Sequence, residues 1–263
     1  MEELQIICQN TNLESDSGMV GRQAKACKLL QWVGFDYTQP RAFKPIYGTN
    51  QEHTNVVDMI MREKELGIFL QGDLLENGKI LSNLLLISGA GLWLPDIKKT
   101  LNLLSVRISK VTQGTPNTLP IYFSHAGHTT PKAMMVSLVG QLVAQLLCKI
   151  GPDPIKKELN KARKKVDRQA DLCVLCELFP HLVSLAREIS NPHMVVCLVN
   201  GLEFSGGMGE NFAGFLTIVE QLVHMAENTC RRGDLKLVLT CCRELGEIEN
   251  RFDKVVRAGI TTN

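Results

Sequence analysis

Short apolar runs alternate along this chain with longer segments whose apolar residues recur every three or four positions. Ile80–Ser88 (ILSNLLLIS) ends in a strand-like burst at Leu84–Ser88, and Leu119–Ser124 (LPIYFS), His193–Val199 (HMVVCLV) and Leu235–Thr240 (LKLVLT) are apolar runs of similar length. Such runs predict strands covered on both faces. The segments between them predict helices: Asp96–Ser105; Ala133–Ile150, opened by Thr129, Thr130 and Pro131; the Lys/Arg-rich Glu158–Ala170; and Asp171–Ser190, kinked or restarted at Pro180. Asn211–Glu227 carries Phe212, Phe215, Ile218, Val219, Leu222 and Val223 on one face. A last amphipathic helix is expected over Glu247–Ala258, with Ile248, Phe252, Val255 and Val256.

Upstream, Ala26, Leu29, Leu30 and Val33 give Arg22–Val33 an apolar helical face, and Gly34–Asn50 reads as a loop. Thr49-x-x-Glu52 forms a capping box ahead of Val56, Val57, Ile60 and Met61. Strands alternating with helices of these lengths argue for an α/β fold, a parallel sheet with helices on both faces. Residues 1–65 are expected to form an irregular segment with a helical appendage, and 66–263 the α/β domain.

Composition narrows the class. With 44% hydrophobic and 21% charged residues, the 263-residue chain is too apolar for disorder and long enough for one large domain. Lys and Arg total 29 against 27 Asp and Glu, a balance that gives no field for nucleic acid or an anionic membrane. The opening MEELQIICQNTNLESDSG has acidic residues where a signal peptide carries basic ones. Apolar runs such as Leu84–Ser88 and Val195–Val199 fall well below the ~20 residues of a membrane span. The nine cysteines are odd in number, and Cys148, Cys197 and Cys241 lie in apolar runs, which reads as buried free thiols in a reducing compartment. A cytoplasmic protein without nucleic-acid or membrane partners is expected.

In open parallel sheets ligands bind at the carboxyl ends of strands. The exits at Gly89–Asp96, Tyr122–His128, Asn200–Phe204 and Thr240–Arg243 are therefore the places to look. In order, LLISG (Leu85–Gly89), IYF (Ile121–Phe123), LVGQLVAQLL (Leu138–Leu147), VNGLEF (Val199–Phe204) and LVLTCCR (Leu237–Arg243) resemble the NTPase domain of fungal STAND proteins of the NACHT type. There a strand ending in ISG enters the Walker A loop, GxxxxGK[ST]; a YFF-like strand is followed by a threonine-initiated helix; then come a Walker B strand and a strand ending in LVTSR. The upstream LLQWVGF and EHTNVVDMIM also resemble stretches preceding that family's P-loop. The resemblance spans about residues 29–255 and rests on order and spacing.

Departures from the family pattern matter more than the matches. A working P-loop wraps N–H groups around phosphates, sends a Lys to them and places a Ser/Thr hydroxyl on Mg²⁺. Here Gly89-Ala-Gly91-Leu-Trp-Leu-Pro95-Asp96 keeps only the first glycines, and Pro95 or Asp96 stands where the lysine belongs. Lys98, Lys99 and Thr100 follow a turn too late. A rival placement over Asp73–Ile80 keeps the Gly78-Lys79 pair but lacks the opening glycine and the hydroxyl, and it lengthens the spacing to the next strand, so Gly89 is preferred. At Walker B the resemblance puts Asn200 at the Mg²⁺-holding acid, Glu203 at the second acid and Phe204 at the last. Arg243 matches a sensor-like arginine, or is an ordinary strand-end arginine. Gly89, Gly91, Lys98, Asn200, Glu203 and Arg243 are thus the residues of a vestigial nucleotide site.

Other constellations weigh less. Cys173-x-x-Cys176 has metal or redox spacing but lies in an apolar helical segment with no second pair, so buried thiols are favoured. His125-x-x-His128 reads as a polar loop, Cys241-Cys242 as strand-end core, and the basic run Lys156–Arg168 as a solvated helix face. The expectation is a catalytically inactive module with no bound metal or cofactor, working through other proteins or further copies of itself. A switch that binds ATP or GTP with Mg²⁺ without efficient hydrolysis and an enzyme of unrelated class on the same sheet are the alternatives.

Overall fold

A computed structural model describes residues 26–36, 51–62, 66, 69, 83–89, 94–115, 117–124, 130–163, 170–188, 194–201, 210–229, 234–242 and 244–257. The helices are α1 (residues 26–33), α2 (Gln51–Met61), α3 (Leu94–Gly114), α4 (Pro131–Ile150), α5 (Pro152–Arg163), α6 (Leu172–Glu188) and α7 (Glu210–His224). The strands are β1 (Leu84–Ser88), β2 (Thr118–Ser124), β3 (Met194–Asn200), β4 (Leu235–Cys241) and β5 (Lys254–Arg257). They form one sheet in the order β2-β3-β4-β1-β5, and every pairing is parallel.

The sheet is buried on both faces because its strands are apolar at odd and even positions alike. Leu84 and Leu86, Ile121 and Phe123, Val195, Cys197 and Val199, and Leu237 and Leu239 face α4, α6 and α7. Leu85, Ile87, Tyr122, Leu198 and Val238 face α2 and α3. The fold is thus the α/β arrangement that the alternation of elements predicts, a parallel sheet with helices on both faces, and it is consistent with the P-loop NTPase-like sheet that the resemblance implies. The first two helices join opposite layers: Leu30, Trp32, Val33 and Phe35 pack with α4 and α6, whereas Val57 and Ile60 pack with α3. Phe35 lies so close to Gly140 of α4 that a Cβ there would stand 2.0 Å from its ring.

The apolar α4 is the centre of its layer. Thr130 caps it, accepting a hydrogen bond from the Ala133 N–H at 3.2 Å, and Pro131 occupies the first turn, where no N–H is needed. By length and composition α4 could cross a bilayer, but 61% of that stretch is buried within this molecule, so its apolarity is used against the sheet and α6. Gln141 and Gln145 of α4 also cover the outer edge of β2. The Gln141 amide accepts from the Tyr122 N–H at 3.0 Å and donates to the Tyr122 carbonyl at 2.6 Å, while Gln145 donates to the Pro120 carbonyl at 2.7 Å.

Several expectations are corrected. No helix spans Glu247–Ala258: Gly246–Arg251 is a 3-10 turn and Lys254–Arg257 is the strand β5 beside β1. Phe252 is extended, and the Asp253 carboxylate accepts from the N–H groups of Asn83 and Leu84 at 2.7 and 2.9 Å, which ties the chain to the entry of β1. α6 runs unbroken through Pro180, and the basic helix starts earlier, at Pro152. α3 extends nine residues past Ser105, to Gly114. Cys197 and Cys241 are buried as expected, but Cys148 and Cys173 are exposed and Cys176 is half-buried, so burial does not explain the Cys173/Cys176 pair.

Candidate functional site

The route of the chain fixes where a crevice can open. From β1 the chain crosses to β2 through α3 on one face of the sheet. The connections β2–β3 and β3–β4 use the other face, as does β4–β5, whose Leu245, Ile248 and Phe252 join that core. The four crossovers therefore share one hand. The neighbours β1 and β4 send their continuations to opposite faces, so the topological switch point lies at their carboxyl ends.

The strand ends meet there in register. Ser124 pairs with Asn200, Asn200 with Thr240, and Ser88 with Cys241. The ladder runs one residue further: the Gly89 N–H donates to the Cys241 carbonyl at 2.9 Å and the Gly201 N–H to the Thr240 carbonyl at 2.8 Å. Both glycines are required by close packing. A Cβ on Gly89 would stand 2.4 Å from Ile97 Cγ1 and 3.0 Å from Leu101 Cδ1, both on α3. On Gly201 it would stand 2.8 Å from Phe215 Cζ of α7 and 3.3 Å from the Thr240 carbonyl oxygen. Apolar side chains from both helical layers therefore press on the ends of β1 and β3.

The polar side chains at this level are uncharged. Asn200 is 2% exposed and Thr240 fully buried. Thr240 Oγ1 lies 3.3 Å from Ser105 Oγ, and the Ser105 hydroxyl donates to the Leu101 carbonyl at 2.9 Å within its own helix. Ser109 and Thr112 continue this stripe along α3, bonding carbonyls of the same helix, and reach the hydroxyl of Tyr122. Hydroxyls satisfied in this way can be buried cheaply, but they offer no activated nucleophile. No carboxylate stands on Ser88, Gly89, Asn200, Gly201, Cys241 or Cys242, the residues that end β1, β3 and β4.

Of the residues singled out from sequence, the structure brings Gly89 and Asn200 to the same sheet edge, on either side of β4. Lys98 lies within α3, half-buried, three residues beyond Pro95 and so about 4.5 Å further along the axis. Gly91, Glu203 and Arg243 lie outside the described residues, as do His125, His128 and the rival segment Asp73–Ile80. Five residues, 89–93, separate β1 from α3, so the helix begins where GxxxxGK[ST] spacing from Gly89 would have its second glycine. On that spacing Leu94 holds the glycine position, Pro95 the lysine and Asp96 the hydroxyl.

Gly201 and Thr240 fall within the expected exits Asn200–Phe204 and Thr240–Arg243 but carry no role there, and Ser105 only ends the expected helix Asp96–Ser105. The signal for the last was present: Ser105, Ser109 and Thr112 recur at helical spacing and would have extended α3. Among the described residues no group of three or more His, Cys, Asp or Glu could hold a metal ion. No protein-family model matches this chain, and no curated protein matches it.

Proposed function

We propose that this chain is a STAND/NACHT-like NTPase domain that has lost hydrolysis and acts as a protein-interaction or regulatory scaffold. The observation that carries the reading is the pairing of strand order with side-chain chemistry at the switch point. The parallel sheet sets β1, β3 and β4 as such a domain needs them, yet Asn200 takes the place of the Mg²⁺-holding acid beside a neutral Thr240. Phosphoryl transfer depends almost wholly on positioning and on charges aimed at the phosphates. An amide at Asn200 supplies no charge to a Mg²⁺ ion, Pro95 supplies neither N–H nor ammonium, and the sequence puts an acid, Asp96, where the family pattern has a hydroxyl. The packing of Ile97 and Leu101 against Gly89 holds helix and strand end together by apolar contact.

Binding to other proteins or to further copies of the chain, in the cytoplasm, is the role left to such a domain. One feature favours a second reading, a nucleotide-binding switch: the five-residue span between β1 and α3 keeps the length of a phosphate loop. Steady-state hydrolysis tests the main reading. ATP or GTP turnover above about 0.01 per second, the level of a slow GTPase, that disappears in Glu203→Gln would overturn it; turnover indistinguishable from the buffer supports it.

A further inference from the structure

The first two turns of α6 carry the pair Cys173-x-x-Cys176, and we propose that these two thiols form a reversible intramolecular disulfide, a redox-modification site at the α6–α7 contact. Three observations place it. Cys173 is exposed and Cys176 half-buried, so a small oxidant reaches the first more readily than the second. Both belong to the start of the helix, whose first residue is Leu172 and whose Val174 N–H is capped by Asp171 Oδ1 at 2.9 Å. Their i,i+3 spacing sets the two Cβ atoms about 5–6 Å apart on one side of the helix, slightly beyond the ordinary disulfide range, so a modest adjustment of an end turn brings the sulfurs together. The Cys176 thiol also donates to Gln221 Oε1 of α7 at 2.8 Å, a polar link between the two helices.

Position assigns the roles. Cys173 faces solvent within the first turn, its thiol donating to Glu177 Oε1 at 3.9 Å, and is the sulfur a dissolved disulfide meets first. Cys176, whose burial and neighbouring Cys173 push its thiol up to about 11, keeps its proton until an adjacent sulfur offers a disulfide to attack. In the exchange the Cys173 thiolate attacks one sulfur of a low-molecular-weight disulfide and expels one thiolate. Cys176 then loses its proton to solvent and attacks Cys173 Sγ, expelling the second thiolate. Two protein thiols are oxidised by two electrons and the small disulfide is reduced to two thiols. Oxidised Cys176 has no S–H, so the bond to Gln221 is lost. The pair is independent of the switch point and does not rest on the function proposed for it.

The test equilibrates the whole native protein in buffers running from reduced to oxidised glutathione, quenches with an alkylating agent and identifies peptides by mass. The expected result is a peptide holding both cysteines that escapes alkylation and is lighter than the dithiol form by about 2 Da, two hydrogens. Reduction should restore two alkylated sites. Cys176→Ser should instead stop at a glutathione adduct on Cys173, and Cys173→Ser should leave Cys176 alkylated; both changes are small enough to leave the fold intact. Wild-type protein that stops at the Cys173 adduct, or keeps both thiols alkylated in oxidised glutathione, overturns the proposal.

Discussion

Replacing Gly89 by Ala adds a methyl group where Ile97 Cγ1 and Leu101 Cδ1 already stand, 2.4 and 3.0 Å from the new carbon. Neither neighbour can swing aside easily. Ile97 is 4% exposed and β-branched, hence stiff at χ1, and Leu101 is fully buried. The methyl must push α3 off the end of β1, at a cost of about 1–3 kcal/mol for overpacking. For a chain of this size that lowers Tm by roughly 2–4 °C per kcal/mol. Ile97→Ala alone should cost about 2–5 kcal/mol through the lost transfer energy and the cavity. The double variant puts the new methyl into the space the isoleucine leaves, so it should be more stable than the sum of the singles by about 1 kcal/mol or more. Urea denaturation, read as a shift of midpoint at constant slope, gives all four corners of the cycle. Effects that add to within about 0.5 kcal/mol would mean that strand end and helix are not in contact.

Three further outcomes follow. Burial pushes the Tyr122 hydroxyl up to about 12, from 10.0 in the open chain; its contribution to stability is complete below pH 10 and is lost as pH rises through the folded value. Between those limits wild-type should lose about 2 kcal/mol more than Tyr122→Phe in urea melts run at each pH, and parallel curves would count against a buried phenol. Gln141→Ala with Gln145→Ala strips the cover from the Tyr122 and Pro120 backbone, so stability should fall by about 2–4 kcal/mol and light scattering should show self-association through the opened β2 edge; a stable monomer would contradict this. Under native conditions a thiol reagent should modify Cys148 and Cys173 rapidly, while Cys197 and Cys241 react only on unfolding; equal rates at all four would contradict the packing of β3 and β4.

The strands were legible because four of the five are apolar on both faces, a pattern that needs no knowledge of neighbours. Leu84–Ser88 could be read to the residue, and the cap of α4 to the stretch Thr129–Pro131. β5 could not: it has four residues at a sheet edge, and its place depends on long-range pairing with β1 and on the carboxylate of Asp253 bonded to backbone 169 and 170 positions away. Period alone reads Ile248, Phe252, Val255 and Val256 as one helical face, and tertiary bonding overrides it. The exposed sulfur of Cys148 was misjudged for a related reason, since even a strongly apolar helix has a side that looks outward. At the switch point, Gly89 and Asn200 followed from motif order, whereas Thr240 and Ser105 become part of a site only through a contact across 135 residues of sequence. Gly201 was seen as part of a loop; its role emerges only when Phe215 of α7 is in place against it.

The proposed function makes the exit of β1 the frame of a nucleotide site without its binding chemistry. Phosphate affinity there would need inward N–H groups, the helix dipole and a cation acting together. Pro95 and Asp96 remove a donor and add repulsion, and Asp96→Lys corrects the charge alone. Calorimetric titration of the protein and of Asp96→Lys with ATP, ADP and GTP in Mg²⁺ measures this directly. No saturable heat in the micromolar range is expected for either protein. Micromolar binding by the unmodified chain would contradict it and make the domain a nucleotide switch.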